Sequence, residues 1–208
     1  MMGWADAVTL CGGGVRLELL DRRHHDQLVE STRDGRLWEL WYTSVPAPEA
    51  MADEISRRLE LYRRRLMVPF AVIDQASGGA VGMTTYMNID ATNRRLEIGS
   101  TWYRESVWRS GLNTRCKLLL LSHAFETMDC IAVEFRTHFF NRRSRTAIER
   151  LGAKLDGVLR SHQVLADGTL RDTCVYSIIA AEWPTVKTHL TFEANWAGDG
   201  STDGSVLG

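Results

Sequence analysis

Residues 96–139 carry a strand, a loop, an apolar helix and a second strand in unbroken succession, and no other stretch limits the fold as tightly. LEIGSTWYR (96–104) and CIAVEFRTHF (130–139) have the β-branched and aromatic content of strands. Between them, ESVWRSGLNTRCKLLLLSHAFE (105–126) runs from a polar loop with one glycine, Gly111, into a long apolar helix. A strand that returns through a helix lies parallel to its predecessor in the same sheet. The chain is therefore expected to be α/β with at least one parallel strand pair, Ile131, Val133 and Phe135 sharing one face of the second strand.

The flanking segments add antiparallel structure. VRLELL (15–20) reads as a first strand, and residues 21–41 as one helix or two short ones. After the break SVPAP (44–48), residues 48–66 repeat apolar side chains at Met51, Ile55, Leu59 and Tyr62, as in an amphipathic helix. Its acids near the start and arginines near the end suit the helix dipole. Residues 68–90 read as two strands about Gly78-Gly79. Residues 141–153 form a short helix with Asn141 as cap and Gly152 as stop. A hairpin about Ala166-Asp167-Gly168 closes the sheet. The order β-α-α-β-β-β-α-β-α-β-β gives one mixed, mostly antiparallel sheet with helices on both faces. We expect an N-terminal arm (1–14), one domain (15–190) and a disordered tail (191–208) rich in Gly, Asp and Ser.

A chain of 208 residues with net charge -1 sets up no field that would draw it to nucleic acid or an anionic membrane. The arginine clusters 63–65 and 142–145 lack interleaved aromatics, so a nucleic-acid partner is not expected. The four cysteines form no C-x-x-C pair, and no metal site is expected. His24 and His25 are adjacent and point apart on a helix. The first residues lack a basic n-region and a long apolar core, and no stretch approaches ~18 apolar residues. A reduced, cytoplasmic protein is the expectation.

The loop before the apolar helix has chemistry of its own. A helix's first turn presents N–H groups without intrahelical partners, and its dipole adds positive charge there. Both stabilise an anion. Gly111 leaves room for one, and Arg109, Asn113 and Thr114 add polarity. The alternative is a plain loop with Gly111 at a turn and Asn113 as the cap.

Taken together, the strand ending G-x-T-W, the W-x-x-G-x-N-T loop and the N-x-x-S-x-x-A-I-x-x-L-G-A helix resemble the GCN5-related N-acetyltransferase family. The branch most resembled is the RimJ/RimL type, which acetylates ribosomal-protein N-termini. The likeness runs from about Val15 to Pro184. It implies acetyl-CoA as co-substrate, with its pyrophosphate held by N–H groups of Arg109, Ser110, Gly111, Leu112, Asn113 and Thr114. The family loop has the form Q/R-x-x-G-x-G/A; here Trp108 replaces its first position and Asn113 its last. The likeness further implies that the parallel strands splay and that the pantetheine arm enters between them. The arm would pair with backbone near Ser100, Thr101 and Trp102, with Asn141 and Ser144 on the far side.

Acetyl transfer to an amine needs a neutral nucleophile, because amines with pKa values of ~8 to ~10 are mostly protonated near neutrality. A general base is required. Glu97, pointing opposite to Leu96 and Ile98, is the candidate; the alternative is a solvent-facing acid paired with Arg94 or Arg95. The tyrosine acid of many family members is replaced by Ile148, which leaves Ser144, water or no acid for the departing thiolate. His138 is a second candidate base or relay. Trp38, Trp41 and Tyr42 either pack in the core or wall the acceptor site. The acceptor could be a protein N-terminus, a lysine or a small amine. Two alternatives stay open: an acyl-CoA sensor without turnover, and a transferase using a longer donor such as succinyl-CoA. The closing hairpin could pair two subunits into a homodimer.

Overall fold

A computed structural model describes residues 3–196. The strands among them are β1 (Leu10–Gly12), β2 (Val15–Leu19), β3 (Met67–Asp74), β4 (Ala80–Asp90), β5 (Arg95–Tyr103), β6 (Ala132–His138), β7 (Lys154–Val164) and β8 (Leu170–Ile179). The helices are α1 (His25–Arg33), α2 (Met51–Arg63), α3 (Leu112–Ser122), α4 (Arg142–Glu149) and α5 (Trp183–Trp196). All described strands join one sheet in the order β1-β2-β3-β4-β5-β6-β8-β7. β5 and β6 run parallel, and every other neighbouring pair is antiparallel.

Several local readings change. The stretch 21–41 is broken because Gly35 and Arg36 both take left-handed φ, which ends α1 and leaves only a 3-10 turn at Leu37–Glu39. β1 was not anticipated. It folds back on β2 through Gly13 and Gly14, both at positive φ as tight hairpins demand. α5 was also unforeseen; Pro184 follows its first residue and Trp183, Val186 and Leu190 are buried. It runs past residue 191, and the rest of the expected tail, 197–208, lies outside the described residues. Ile131 precedes β6 and is exposed, so the apolar side of that strand is Val133 and Phe135 alone.

The sheet separates two cores. On one face α1 and α2 cover Ala71, Ile73, Ala80, Met83 and Trp102. On the other, the core of Leu120, Leu121, Trp183 and Leu190 buries Leu96, Ile98, Val133, Phe135 and Tyr176. Strict alternation along β5 would put Trp102 beside Leu96 and Ile98. A bulge prevents this: Gly99 pairs with Thr85 and Trp102 with Met83, so two residues of β5 face one of β4. Ser100, at φ 47°, is its extra residue. The next pair is close, since a Cβ on Gly82 would meet the Trp102 carbonyl oxygen at 2.2 Å and Tyr103 Cα at 2.8 Å. Both are backbone atoms and cannot rotate away. Gly82→Ala should therefore cost about 1–3 kcal/mol in a urea titration; an unchanged midpoint would contradict this packing.

Candidate active site

The parallel ladder is short. It joins Arg95, Leu96 and Glu97 to Ala132, Val133 and Glu134. Beyond Glu97 the strands part, while β6 stays paired with β8 as far as His138. The β5 edge from Ile98 through the bulge thus faces a gap. Ser100, Thr101 and Trp102, expected in a regular strand, form this bulge. Ser100 is exposed, Thr101 half-buried on the α3 side and Trp102 buried under α1 and α2.

The loop lies at the same end of the sheet. Gly111 caps α3 with φ 76° and no side chain closes the helix. Asn113 sits inside the first turn, so the reading of Asn113 as cap is set aside. Among the described residues the Leu112 N–H meets only Ser110 Oγ, at a long 3.4 Å. An uncapped first turn preceded by two left-handed residues, Arg109 and Gly111, is suited to an anion. Trp108 anchors the loop by donating from Nε1 to the Tyr103 carbonyl at 2.9 Å. The Arg143 guanidinium of α4 stacks on its ring at 3.9 Å.

Glu97 occupies the other face. It is only 5% exposed. Asn88 Nδ2 donates to its Oε2 at 2.7 Å, and Arg136 Nε lies 3.6 Å away. Burial pushes the carboxyl pKa up and neighbouring Glu134 adds to this; Asn88, Arg136 and Arg171 pull against it, and the net shift is upward. The alternative of a solvent-facing acid paired with Arg94 or Arg95 does not hold, because Arg94 pairs with Asp129 and Arg95 with Glu134. A cleft of about 380 Å³ opens beside Glu97, lined also by Asp90, Glu134 and Arg136.

His138 stands two residues beyond Arg136 on the same side of β6. It is buried, and Nδ1 accepts the Phe140 N–H at 3.0 Å. The ring proton therefore sits on Nε2, which has no partner among the described residues. Desolvation first, then Arg171, lowers its pKa. A neutral ring whose acceptor nitrogen is engaged can donate but makes a poor base. Trp41, 56% exposed, meets the His138 ring edge-on at 5.0 Å and lies 6.0 Å from Phe140 and 5.6 Å from Tyr42. The α1–α2 connection thus reaches across to the end of β6. Trp38 is half-buried and takes no part in this cluster.

Asn141 caps α4 by accepting the Ser144 N–H at 3.0 Å. That engages Oδ1, and the amide nitrogen makes no bond to another described residue. Ser144 is half-buried at the helix start, and Ile148 is buried in the core. Two residues near the bulge escaped the sequence reading. Arg58 is buried on α2, and Lys117 is buried on α3. Each left a signal: Arg58 lies three positions after Ile55 on the apolar stripe, and Lys117 interrupts the run from Cys116 to Leu121.

Comparison with known proteins agrees with this geometry. A family model described as an acetyltransferase (GNAT) domain matches residues 15–154. An inferred ribosomal N-acetyltransferase of Bacillus subtilis (strain 168), YdaF, is 30% identical over 106 residues, which is 51% of this chain and 57% of that protein. The chain thus matches little more than half the length of this curated relative. The crystal structure of a GCN5-related N-acetyltransferase from Brucella melitensis superposes with TM-score 0.80 at 29% identity, covering 96% of this chain and 89% of that one. RimL, titled a ribosomal L7/L12 alpha-N-protein acetyltransferase, shares the fold with TM-score 0.73 at 18% identity, over 86% of this chain and 98% of that one.

Proposed function

The chain belongs to the GNAT acetyltransferase family, and from that premise we propose that it transfers the acetyl group of acetyl-CoA directly to a primary amine, with Glu97 as general base. The observation that carries this reading is a buried carboxylate of raised pKa at the point where β5 and β6 part. A base whose pKa approaches the working pH accepts a proton more readily than an ordinary glutamate. The uncapped start of α3 would take the pyrophosphate on the N–H groups of Leu112, Asn113 and Thr114, with Arg109 and Ser110 beside them. Asn141 retains an amide donor for the pantetheine arm, and Ser144 stands next to it. Backbone N–H groups at the bulge would meet the acyl oxygen. The thioester supplies an activated acetyl group, and its thiol, of pKa ~8.5, can leave without a dedicated acid.

For the acceptor we favour a protein N-terminus. Trp41, Tyr42 and Phe140 form an open aromatic wall, and the cleft beside Glu97 carries both signs of charge, Glu97 and Glu134 with Arg95 and Arg136. The relative from Bacillus subtilis carries a ribosomal N-acetyltransferase name. A succinyl donor finds less support, since Arg95 and Arg136 are committed to Glu134 and Glu97. The test is thiol release from acetyl-CoA with a panel of N-terminal peptides, lysine peptides and small amines. Peptide N-termini are expected to give the highest kcat/KM; acetyl-CoA binding without turnover on the whole panel would instead support a sensor. Trp41→Ala should raise KM for the acceptor about five- to tenfold with KM for acetyl-CoA unchanged. Equal losses for both substrates would remove Trp41 from the acceptor wall.

A further inference from the structure

Two buried cations grip the bulge at Ser100 from opposite sides of the sheet. On the α3 side, Lys117 is 5% exposed. Its ammonium donates to Thr101 Oγ1 at 2.8 Å and to Thr84 Oγ1 at 3.3 Å, and the two hydroxyls lie 2.7 Å apart. On the α2 side, Arg58 is 1% exposed. It donates to Thr85 Oγ1 at 2.8 Å, to the Ser100 carbonyl at 3.4 Å and to Glu54 at 2.6 Å. A bulge leaves backbone groups of its strand without ladder partners. Here the Ser100 carbonyl meets Arg58, and the Gly99 carbonyl meets the Thr101 hydroxyl at 3.4 Å.

The two cations differ in one respect. Arg58 has a carboxylate, whereas among the described residues Lys117 meets only hydroxyls. The titratable groups on its side of the sheet include Cys116 beside it, Tyr103 on β5, Tyr86 on β4, Cys130 before β6, Cys174 on β8 and His123 past the end of α3. Farther out, Arg145 and Glu149 of α4 bond Tyr176 on β8. None is a carboxylate bonded to Lys117, and burial pushes its pKa down to about 8. A buried ammonium without an anion is costly. It becomes favourable when negative charge develops nearby in a medium of low dielectric.

We propose that Lys117 is a positioning residue for the transfer step: it holds the Thr84–Thr101 side of the bulge and adds positive potential to the N–H groups that face the parting of β5 and β6. This rests on the acetyl-transfer reading. As the acceptor nitrogen bonds to the carbonyl carbon, the C=O pair moves onto oxygen and the nitrogen's proton passes to Glu97. The pair returns as the C–S bond breaks, sulfur leaves with that bond's electrons, and the proton held by Glu97 passes through solvent to the thiolate, which restores the base. Lys117 keeps its proton throughout, so charge on it is required.

The kcat/KM of wild type should therefore fall as pH rises through about 8. Lys117→Met should abolish that alkaline limb and lower kcat about ten- to a hundredfold, with KM for acetyl-CoA changed less than about threefold. Thr84→Val keeps the ammonium but removes one acceptor, and should move the limb to lower pH. A Lys117→Met enzyme with wild-type kcat overturns the proposal. If that variant does not fold, an unmoved limb in Thr84→Val overturns it instead. Side-chain nitrogen NMR of the wild type without substrate is independent of turnover: a lysine amine titrating near 8 supports the proposal, and all amines at ordinary values overturn it. A wild type that turns over no acceptor defeats the acetyl-transfer reading, whatever the NMR shows.

Discussion

Glu97→Gln is expected to lower kcat by about 10²–10⁴-fold and to leave acetyl-CoA affinity within about twofold. Glutamine keeps the shape of the side chain and can still accept from Asn88, so the cleft is preserved while the proton acceptor is lost. The pH dependence carries a second signature. The base must be ionised, and burial raises its pKa above the usual glutamate value. Activity should therefore rise with pH through a limb above the ordinary range, and Glu97→Gln should erase that limb. Stability should move the other way. A carboxyl whose pKa is raised by folding stabilises the fold below its unfolded pKa and loses that contribution as pH rises through the folded value. At neutral pH the native state therefore carries the cost of a buried anion. The glutamine variant should unfold at the same or a higher temperature at pH 7, and no lower at pH 4. If it retains more than about a tenth of wild-type kcat, Glu97 is not the base.

The parts of the site differ in how plainly the sequence shows them. The parallel pair was legible because a strand, an apolar helix and a strand admit one return path. Gly111 was legible because an isolated glycine before an apolar run leaves few readings. Glu97 was legible as a position, but its burial was not: it depends on Asn88 and Arg136, which reach it from β4 and β6. The bulge was hidden for a related reason. LEIGSTWY satisfies strand alternation in either register, and only the pairing of Gly99 and Trp102 with β4 shows where the parity breaks. Arg58 and Lys117 illustrate the same limit. Each shows in the sequence only as a charge on an apolar stripe, and what it meets is not visible until the hydroxyls of Thr84, Thr85 and Thr101 are brought beneath it from other strands. β1 and α5 were missed on local grounds: three residues are too few for a period, and Pro184 at the start of a helix looks like a break.

Gly111→Trp is expected to abolish measurable acetyl-CoA binding in a calorimetric titration, a loss of at least about a hundredfold, or ~2.7 kcal/mol. Two effects combine. Gly111 has φ 76°, where a residue with a Cβ is strained by about 1–2 kcal/mol. The added ring also stands at the start of α3, among the N–H groups that would hold the pyrophosphate. Strain alone could loosen the protein without touching the site, so a matched control is needed. Gly168 has φ 83° in the hairpin between β7 and β8, and a Cβ there meets nothing within 4 Å. Gly168→Ala should carry a similar backbone cost and bind acetyl-CoA as wild type does. Gly111→Ala lies between the two: it adds the strain and one methyl group, and its affinity should fall about tenfold. If all three variants bind like wild type, the start of α3 is not where the pyrophosphate sits. If only Gly111→Trp fails, bulk at this position matters and left-handed geometry does not. Loss graded from alanine to tryptophan, with Gly168→Ala unaffected, is what a pyrophosphate cradled on backbone N–H groups requires.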